Sequence, residues 1–168
     1  MPQQIFGAAA QPPDCSPASL DPTLFDSGLY TPVLCLVEYH ISGGSDARVT
    51  SCGGVRLGNA DVFRYDGIGR HWGNRRVHHI RADQISDYLV TIPLAARIEF
   101  QQDGCAGAYE PGSFGLLSTA SPFEAAAVGP RSCGAFSALH LRVSGTQLRQ
   151  RIPDVDRYCD HPLTLAPG

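Results

Sequence analysis

The sequence predicts a mainly β domain, a barrel or double-sheet jelly roll, with one short helix near its C-terminal end. Three observations carry that expectation. Gly 18 and Pro 13 are scattered through 168 residues, and frequent breakers favour many short strands over long helices. The apolar stretches between the breakers are short and carry many Val, Ile, Phe and Tyr residues, which suit a pleated, half-buried surface. Turn signals recur at the spacing expected for roughly eight to ten short strands.

Taken in order, residues 1–27 read as an entry segment. Gln11-Pro12-Pro13-Asp14 and Ser16-Pro17 break regular structure, and 19–25 could hold one short helix before Gly28. Val33-Leu34-Cys35-Leu36-Val37-Glu38-Tyr39 then reads as a strand. Gly43-Gly44-Ser45 and Gly53-Gly54 read as turns. Val55-Arg56-Leu57 leads to a strand over 60–65, closed by Asp66-Gly67 as a hairpin-type pair. Val77 to Ile80 reads as a further short strand. Tyr88 to Ile92 is a strong strand pattern, and Arg97 to Gln101 alternates cleanly before Asp103-Gly104 turns the chain. Pro111-Gly112 marks a type II turn, because Gly supplies the positive φ. Phe114 to Leu117 and Phe123 to Ala126 follow as strands, separated by Ser121-Pro122. Ala135 to Val143 is the last long strand. Thr146 to Arg151 is the best helix, with Ser144 as its cap and Pro153 as its stop.

Composition narrows the function classes. Net charge is −3, so no global field gathers nucleic acid or an anionic membrane. No apolar run reaches the roughly 20 residues of a membrane helix, and the N-terminus lacks a signal-peptide layout. These features predict a soluble, cytoplasmic protein. All 13 basic residues are Arg, which fits a GC-rich coding sequence. The cysteines at 15, 35, 52, 105, 133 and 159 form no CxxC pair. They read as free thiols, with Cys35 packed in the core, and the paired spacings of a zinc site are missing.

From about residue 52 to 165 the order and spacing of several stretches resemble the N-terminal sensor domain of AraC-type transcriptional regulators, in the branch without a metal site. The stretches are Arg75-Arg76-Val77-His78-His79-Ile80-Arg81-Ala82-Asp83, the apolar strand 87–92, and Phe100-Gln101-Gln102-Asp103-Gly104. The turn Glu110-Pro111-Gly112, the pair Pro122-Phe123 and the final strand and helix from Leu139 to Pro153 complete the match. Ser113 and Ser121 depart from it, where the family has Asp and Arg, so ligand identity does not carry over.

The resemblance implies a cupin-like jelly-roll barrel over 28–168, with a short C-terminal helix and an N-terminal helical or irregular arm. It implies a sensor of a small-molecule effector, not an enzyme, that needs no cofactor. Such regulators continue into linking helices and two helix-turn-helix units. This sequence stops before them, so DNA is expected to be reached only through that missing C-terminal module. Dimerisation is left open, because the resemblance places much of that contact in the missing helices. Two other classes stand beside the sensor: a small cupin-fold enzyme and a stand-alone protein-interaction module.

A metallo-cupin needs clustered His and Glu ligands. The only close set is His71, His78 and His79, there is no His-x-His, and Gly115 stands where the last metal histidine would be. No metal is therefore expected. There is no G-x-S-x-G elbow for a hydrolase and no phosphate-cradling loop. The segment Arg70 to Arg81 is dense in Arg and His and reads as a solvated strand-loop edge, with an effector contact as the alternative. A small barrel can enclose one ligand. From strand phase its lining is Tyr88, Val90, Ile92, Phe100, Phe114, Leu116, Phe123 and His140, with Trp72 from the charged segment. Leu139, Leu141 and Val143 share one face of the last strand and His140 and Arg142 the other. If the polar face points inward, His140 orients a ligand; if not, it is surface.

Overall fold

A computed structural model describes residues 35, 37–128, 134–159 and 161–164. The segment 1–27, the start of the strand predicted from Val33, and Cys15 and Cys133 lie outside the described residues.

Among the described residues eleven strands form two sheets, and every pairing between neighbours is antiparallel. The strands are β1 Glu38–Ser42, β2 Arg48–Leu57, β3 Ala60–Ile68, β4 Arg70–Arg75, β5 Tyr88–Ala95, β6 Arg97–Gln102, β7 Cys105–Tyr109, β8 Ser113–Ser118, β9 Phe123–Val128, β10 Ala135–Val143 and β11 Leu163–Thr164. The smaller sheet runs β1-β4-β9-β6-β7, the larger β11-β8-β5-β10-β3-β2. Closed face to face, they make a cupin-like jelly-roll barrel.

The inner faces follow from period-two alternation. On β3, Asp61, Phe63 and Tyr65 are buried while Arg64 is exposed. On β6, Ile98, Phe100 and Gln102 are buried while Arg97 and Gln101 are exposed. Of these, Phe63, Tyr65, Ile98 and Phe100 join Leu89, Tyr109, Leu117, Phe123, Phe136 and Ala138 in the main core. A second cluster lies on the outer side of the larger sheet. Helix α2, Gly145–Arg151, and a 3-10 turn at Val155–Tyr158 fold back over β5 and β8. There Val155 and Cys159 pack with Tyr88 and Leu116, and Val90 and Leu148 lie against them.

Several local expectations are met. Gly112 has φ 93°, and Ser113 N–H donates to Glu110 O at 2.9 Å. Asp103 and Gly104 are both left-handed, as a tight hairpin between β6 and β7 requires. Ser144 precedes α2, but its side chain makes no capping bond. The Gly145 N–H donates instead to the Asp87 carboxylate at 3.1 Å.

Other expectations are corrected. Gly53-Gly54 lies inside β2, and Asp66-Gly67 lies inside β3. The reversals fall at Gly58-Asn59 and at Gly69. Gly67 is there for close approach: a Cβ would meet the Phe136 ring at 2.5 Å and the His71 ring at 2.8 Å. Val77 to Ile80 is not a strand. It opens helix α1, Val77–Asp83, which ends where Gln84 turns left-handed. The short apolar run Val77 and Ile80 has helical spacing as well as strand character, and tertiary contacts decide. Arg75 donates two bonds to Asp83 at the helix end, at 2.8 and 2.7 Å. The segment Arg70 to Arg81 is also not uniformly solvated. Alternation on β4 turns His71 and Arg75 into the protein, 2% and 0% exposed.

Candidate functional site

The face of the last strand is settled by its neighbours. Phe136 and Ala138 enter the main core, so His140 and Arg142, on the same phase, also point between the sheets. Leu139, Leu141 and Val143 point outward. The polar face is the inner one.

The inner face of the larger sheet reads as successive rungs, each set by strand register. Arg56, Asp61, Arg142 and Leu89 form one rung. Gly54, Phe63, His140 and Thr91 form the next, and Cys52, Tyr65, Ala138 and Pro93 the third. Opposite them, the smaller sheet presents the rung Tyr39, Gly73, Ala125, Phe100 and Gly107. The small residues of these rungs are Gly54 on the edge strand β2 and Gly73 and Ala125 on the central strands of the smaller sheet. Sheets stacked about 10 Å apart fill that gap only with larger side chains. Protein surrounds His140, yet part of its surface stays accessible, as at Tyr39, Cys52 and Ala125.

The polar groups in this interior are arranged by rung. At one end Asp61 takes Arg56 at 2.8 Å and Arg142 at 2.5 Å. The Arg56 hydrogen bonds, with the charge of Arg142, hold the Asp61 carboxyl below the usual range despite burial. In the middle, His140 Nδ1 lies 3.2 Å from Thr91 Oγ1, and the Phe63 ring centre is 6.2 Å from the imidazole. At the other end, the Tyr39 hydroxyl bonds both the Tyr65 hydroxyl and His71 Nδ1. Tyr65 Oη is 3.0 Å from the same nitrogen. His71 Nε2 donates to Ile68 O at 2.9 Å, so its proton is on Nε2 and Nδ1 accepts. Burial raises the pKa of both phenols and lowers that of His71.

Burial pushes the His140 imidazole down to about 4. An unfolded histidine titrates near about 6.5, so the unfolded chain takes up this proton first. Stability linked to the group is intact above about pH 6.5 and is lost as pH falls toward the folded value. Urea unfolding should show a loss of about 2 kcal/mol from this group between about pH 7 and about pH 5. His140→Gln, which does not titrate, should lack that part of the slope, while His71 contributes to both proteins.

The predicted lining residues separate into three places. His140, Phe100 and Phe123 point between the sheets. Tyr88, Val90 and Leu116 lie on the opposite face of the larger sheet, under α2 and the 3-10 turn. Tyr88 donates to Asp156 at 2.5 Å and carries Arg149 over its ring at 5.0 Å. Phe114 shares the outward phase of β8, paired with Leu163 of β11, and Ile92 shares that of β5. Trp72 is outside the barrel, its ring stacked on His40 at 4.5 Å. The choice of phase on β5 and β8 was the missing step. Both faces of those strands are apolar, and only the outer cover by α2 tells them apart. Sequence reasoning missed Tyr39, Tyr65 and His71 as a group, because three strands bring them together. It also missed Thr91, on a strand whose phase was ambiguous, and Asp61, whose inward phase on β3 was legible.

Among the described residues, no three His, Cys, Asp or Glu side chains converge to hold a metal ion. His78 and His79 lie on exposed α1, and His71 is turned to the tyrosines. The described cysteines 35, 52, 105 and 159 are free thiols, and Cys35 is buried in the core. No described helix is long and apolar enough to cross a membrane.

Among the described residues two buried side-chain atoms are unsatisfied, Arg70 Nε and the Tyr109 hydroxyl. The Tyr109 hydroxyl has no partner among the described residues, although its ring is fully buried and stacked on Phe100 at 4.3 Å. Tyr109→Phe should therefore be neutral or stabilise by about 1 kcal/mol in urea unfolding, since it deletes a desolvated hydroxyl that bonds nothing.

The two antiparallel sheets define the chain as a cupin-like jelly-roll barrel. Comparison with solved structures agrees. The AraC-like transcriptional activator CuxR matches with a TM-score of 0.60 and 16% identity, over 72% of this chain and 43% of that one. The cupin domain of Schizosaccharomyces pombe Cnp3 matches at 0.45 and 6% identity, over 63% and 74% of the two chains. A cupin 2 conserved barrel domain protein from Salinispora arenicola matches at 0.42 and 12% identity, over 68% and 89%. The likeness to CuxR is one of fold, and this chain spans less than half of that regulator. No protein-family model matches the chain, and no curated protein matches it.

Proposed function

We propose that this chain is the effector-binding domain of an AraC-type transcriptional regulator, taking a small molecule between its two sheets. The observation that carries the reading is the inward polar face of β10. It sets His140 beside Thr91 on the inner face of the larger sheet. The regulator's helix-turn-helix module reads DNA, and the barrel biases it without catalysing a reaction. The bias is bounded by the effector's difference in affinity between two states of the regulator. The sequence resemblance and the shared fold of an AraC-like activator support this assignment over an enzyme. A cytoplasmic location goes with it.

Native mass spectrometry of the purified chain tests the reading. A metal-free chain that carries, or takes up, one small organic molecule is the expected result. Stoichiometric iron, manganese or zinc would overturn it in favour of a metallo-cupin enzyme.

A further inference from the structure

β2 leaves one edge of the larger sheet open. At Arg48–Leu57 it is the longest described strand, and it ends the sheet with β3 as its one neighbour. Among the described residues no strand pairs with its outer edge. An open edge is a template for another strand, and proteins blunt it with bulges, prolines or charges. A register shift between Val49 and Ser51 blunts the first half of β2. From Cys52 to Leu57 there is no proline and no further shift, and the one charge, Arg56, is already matched by Asp61 at 2.8 Å.

Alternation assigns the free backbone groups. The two-residue loop Gly58-Asn59, with Gly58 at φ 61°, closes the hairpin on the pair Leu57–Ala60. Such a loop is flanked by a pair that exchanges both hydrogen bonds, and bonded pairs then recur at every second residue. Val55 and Gly53 therefore bond to β3, while Gly54 and Arg56 turn N–H and C=O to the open edge. Val55 and Leu57, opposite in phase to Arg56, lie on the outer face at 49% and 62% exposure, and Leu57 is the most exposed large apolar residue described. Gly53 shares that face, and a Cβ there would meet nothing within 4 Å. Across the sheet, Val55 continues the apolar row Val62, Leu141, Val90 and Leu116. The C-terminal turn covers the Leu116 end of that row, and the Val55 end stops at the open edge.

We propose that two copies of this chain join β2 to β2, antiparallel and centred on Val55, so that their larger sheets become one. This register puts the edge groups of Gly54 opposite those of the second copy's Arg56. The two-fold axis repeats the match, so both open donors of each copy meet acceptors. Each Leu57 falls across from the other copy's Gly53, where the space for a side chain is open. Val55 meets its counterpart on the axis and joins the two apolar rows. A strand of another protein could use the same backbone edge, but the Leu57–Gly53 fit occurs twice by symmetry when the partner is a second copy. The pairing goes beyond the effector reading and does not depend on it.

Sedimentation of the full chain over a range of concentrations tests the pairing. A reversible monomer–dimer equilibrium is the expected result. Gly53→Val fills the space that Leu57 needs, and Val55→Lys sets two like charges face to face on the axis. Each should weaken the dimer by about tenfold or more, because a two-fold contact counts every change twice. Circular dichroism confirms that the variants are folded, and Gly53→Val has room to fold as a monomer. Cross-linking reads the register. Opposed residues of a non-bonded antiparallel pair have Cα atoms about 4.5 Å apart, within disulfide range. Val55→Cys should therefore give a disulfide-linked dimer on mild oxidation, beyond any formed by the unsubstituted chain. Leu57→Cys should not, because the two copies of that position lie about 13 Å apart along the strands. A chain that stays monomeric would overturn the pairing. So would a dimer that a folded Gly53→Val or Val55→Lys leaves at full strength, or one that does not cross-link through position 55.

Discussion

Arg75→Ala should lower the stability of the domain by about 3–5 kcal/mol, the cost of breaking a buried ion pair from one side. Arg75 has no exposed surface. Its guanidinium donates to Asp83 through two bonds and to Thr119 O at 2.8 Å. Removing it leaves a carboxylate at 10% exposure without its cation and a buried carbonyl without its donor. Helix α1 makes the loss worse, because none of its seven residues is buried. Little apolar surface holds the helix down, so the Asp83 clamp does. Urea unfolding of Arg75→Ala, Asp83→Ala and the double variant would measure it. The double variant should be less damaged than the sum of the singles, since the orphaned charge is then gone. A loss below about 1 kcal/mol would refute the clamp, because that is the scale of an exposed pair.

Gly115→Ala should cost about 3 kcal/mol, at the upper end of overpacking effects. A Cβ at this position would lie 1.8 Å from Tyr109 Cζ. The tyrosine ring has nowhere to retreat, because it is sandwiched against Phe100 with an interplanar angle of 10°. The strands would have to part, and close-packed interiors resist that. In a Tyr109→Leu background the same glycine substitution should cost at least about 1 kcal/mol less. Equal costs in the two backgrounds, read by urea unfolding, would show that the contact is not the cause. Gly115 thus has a steric reason that concerns the core, whatever stands at this position in metal-binding relatives of the fold.

How much of this was legible in the sequence differs by level. The barrel class, the strands at β5, β6, β8, β9 and β10, the turns at 103–104 and 111–112 and the late helix follow from alternation and turn chemistry. What failed was local ambiguity that only packing resolves. Gly53-Gly54 and Asp66-Gly67 look like turns, yet both pairs lie inside strands; at Gly67 the Phe136 and His71 rings occupy the space of a Cβ, while at Gly53 that space is open. Val77 to Ile80 is short enough to fit either period, and the Arg75–Asp83 pair commits it to a helix. At the site, phase alone distinguished the two faces of β10 but not which was inside. On β5 it could not choose, because the strand is apolar on both sides. The tyrosine–histidine group was illegible in principle. Its members come from β1, β3 and β4, and no spacing in the sequence marks them.

That two-sided strand has a consequence for how the molecule comes apart. β5 contributes Leu89 to the interior core and Tyr88 to the cluster beneath α2, and it is paired on both edges, to β10 and β8. Neither cluster can open without disturbing the ladder that serves the other. The C-terminal turn and the barrel should therefore melt as one cooperative unit, and the amides of β5 should be among the last to exchange their hydrogens with solvent.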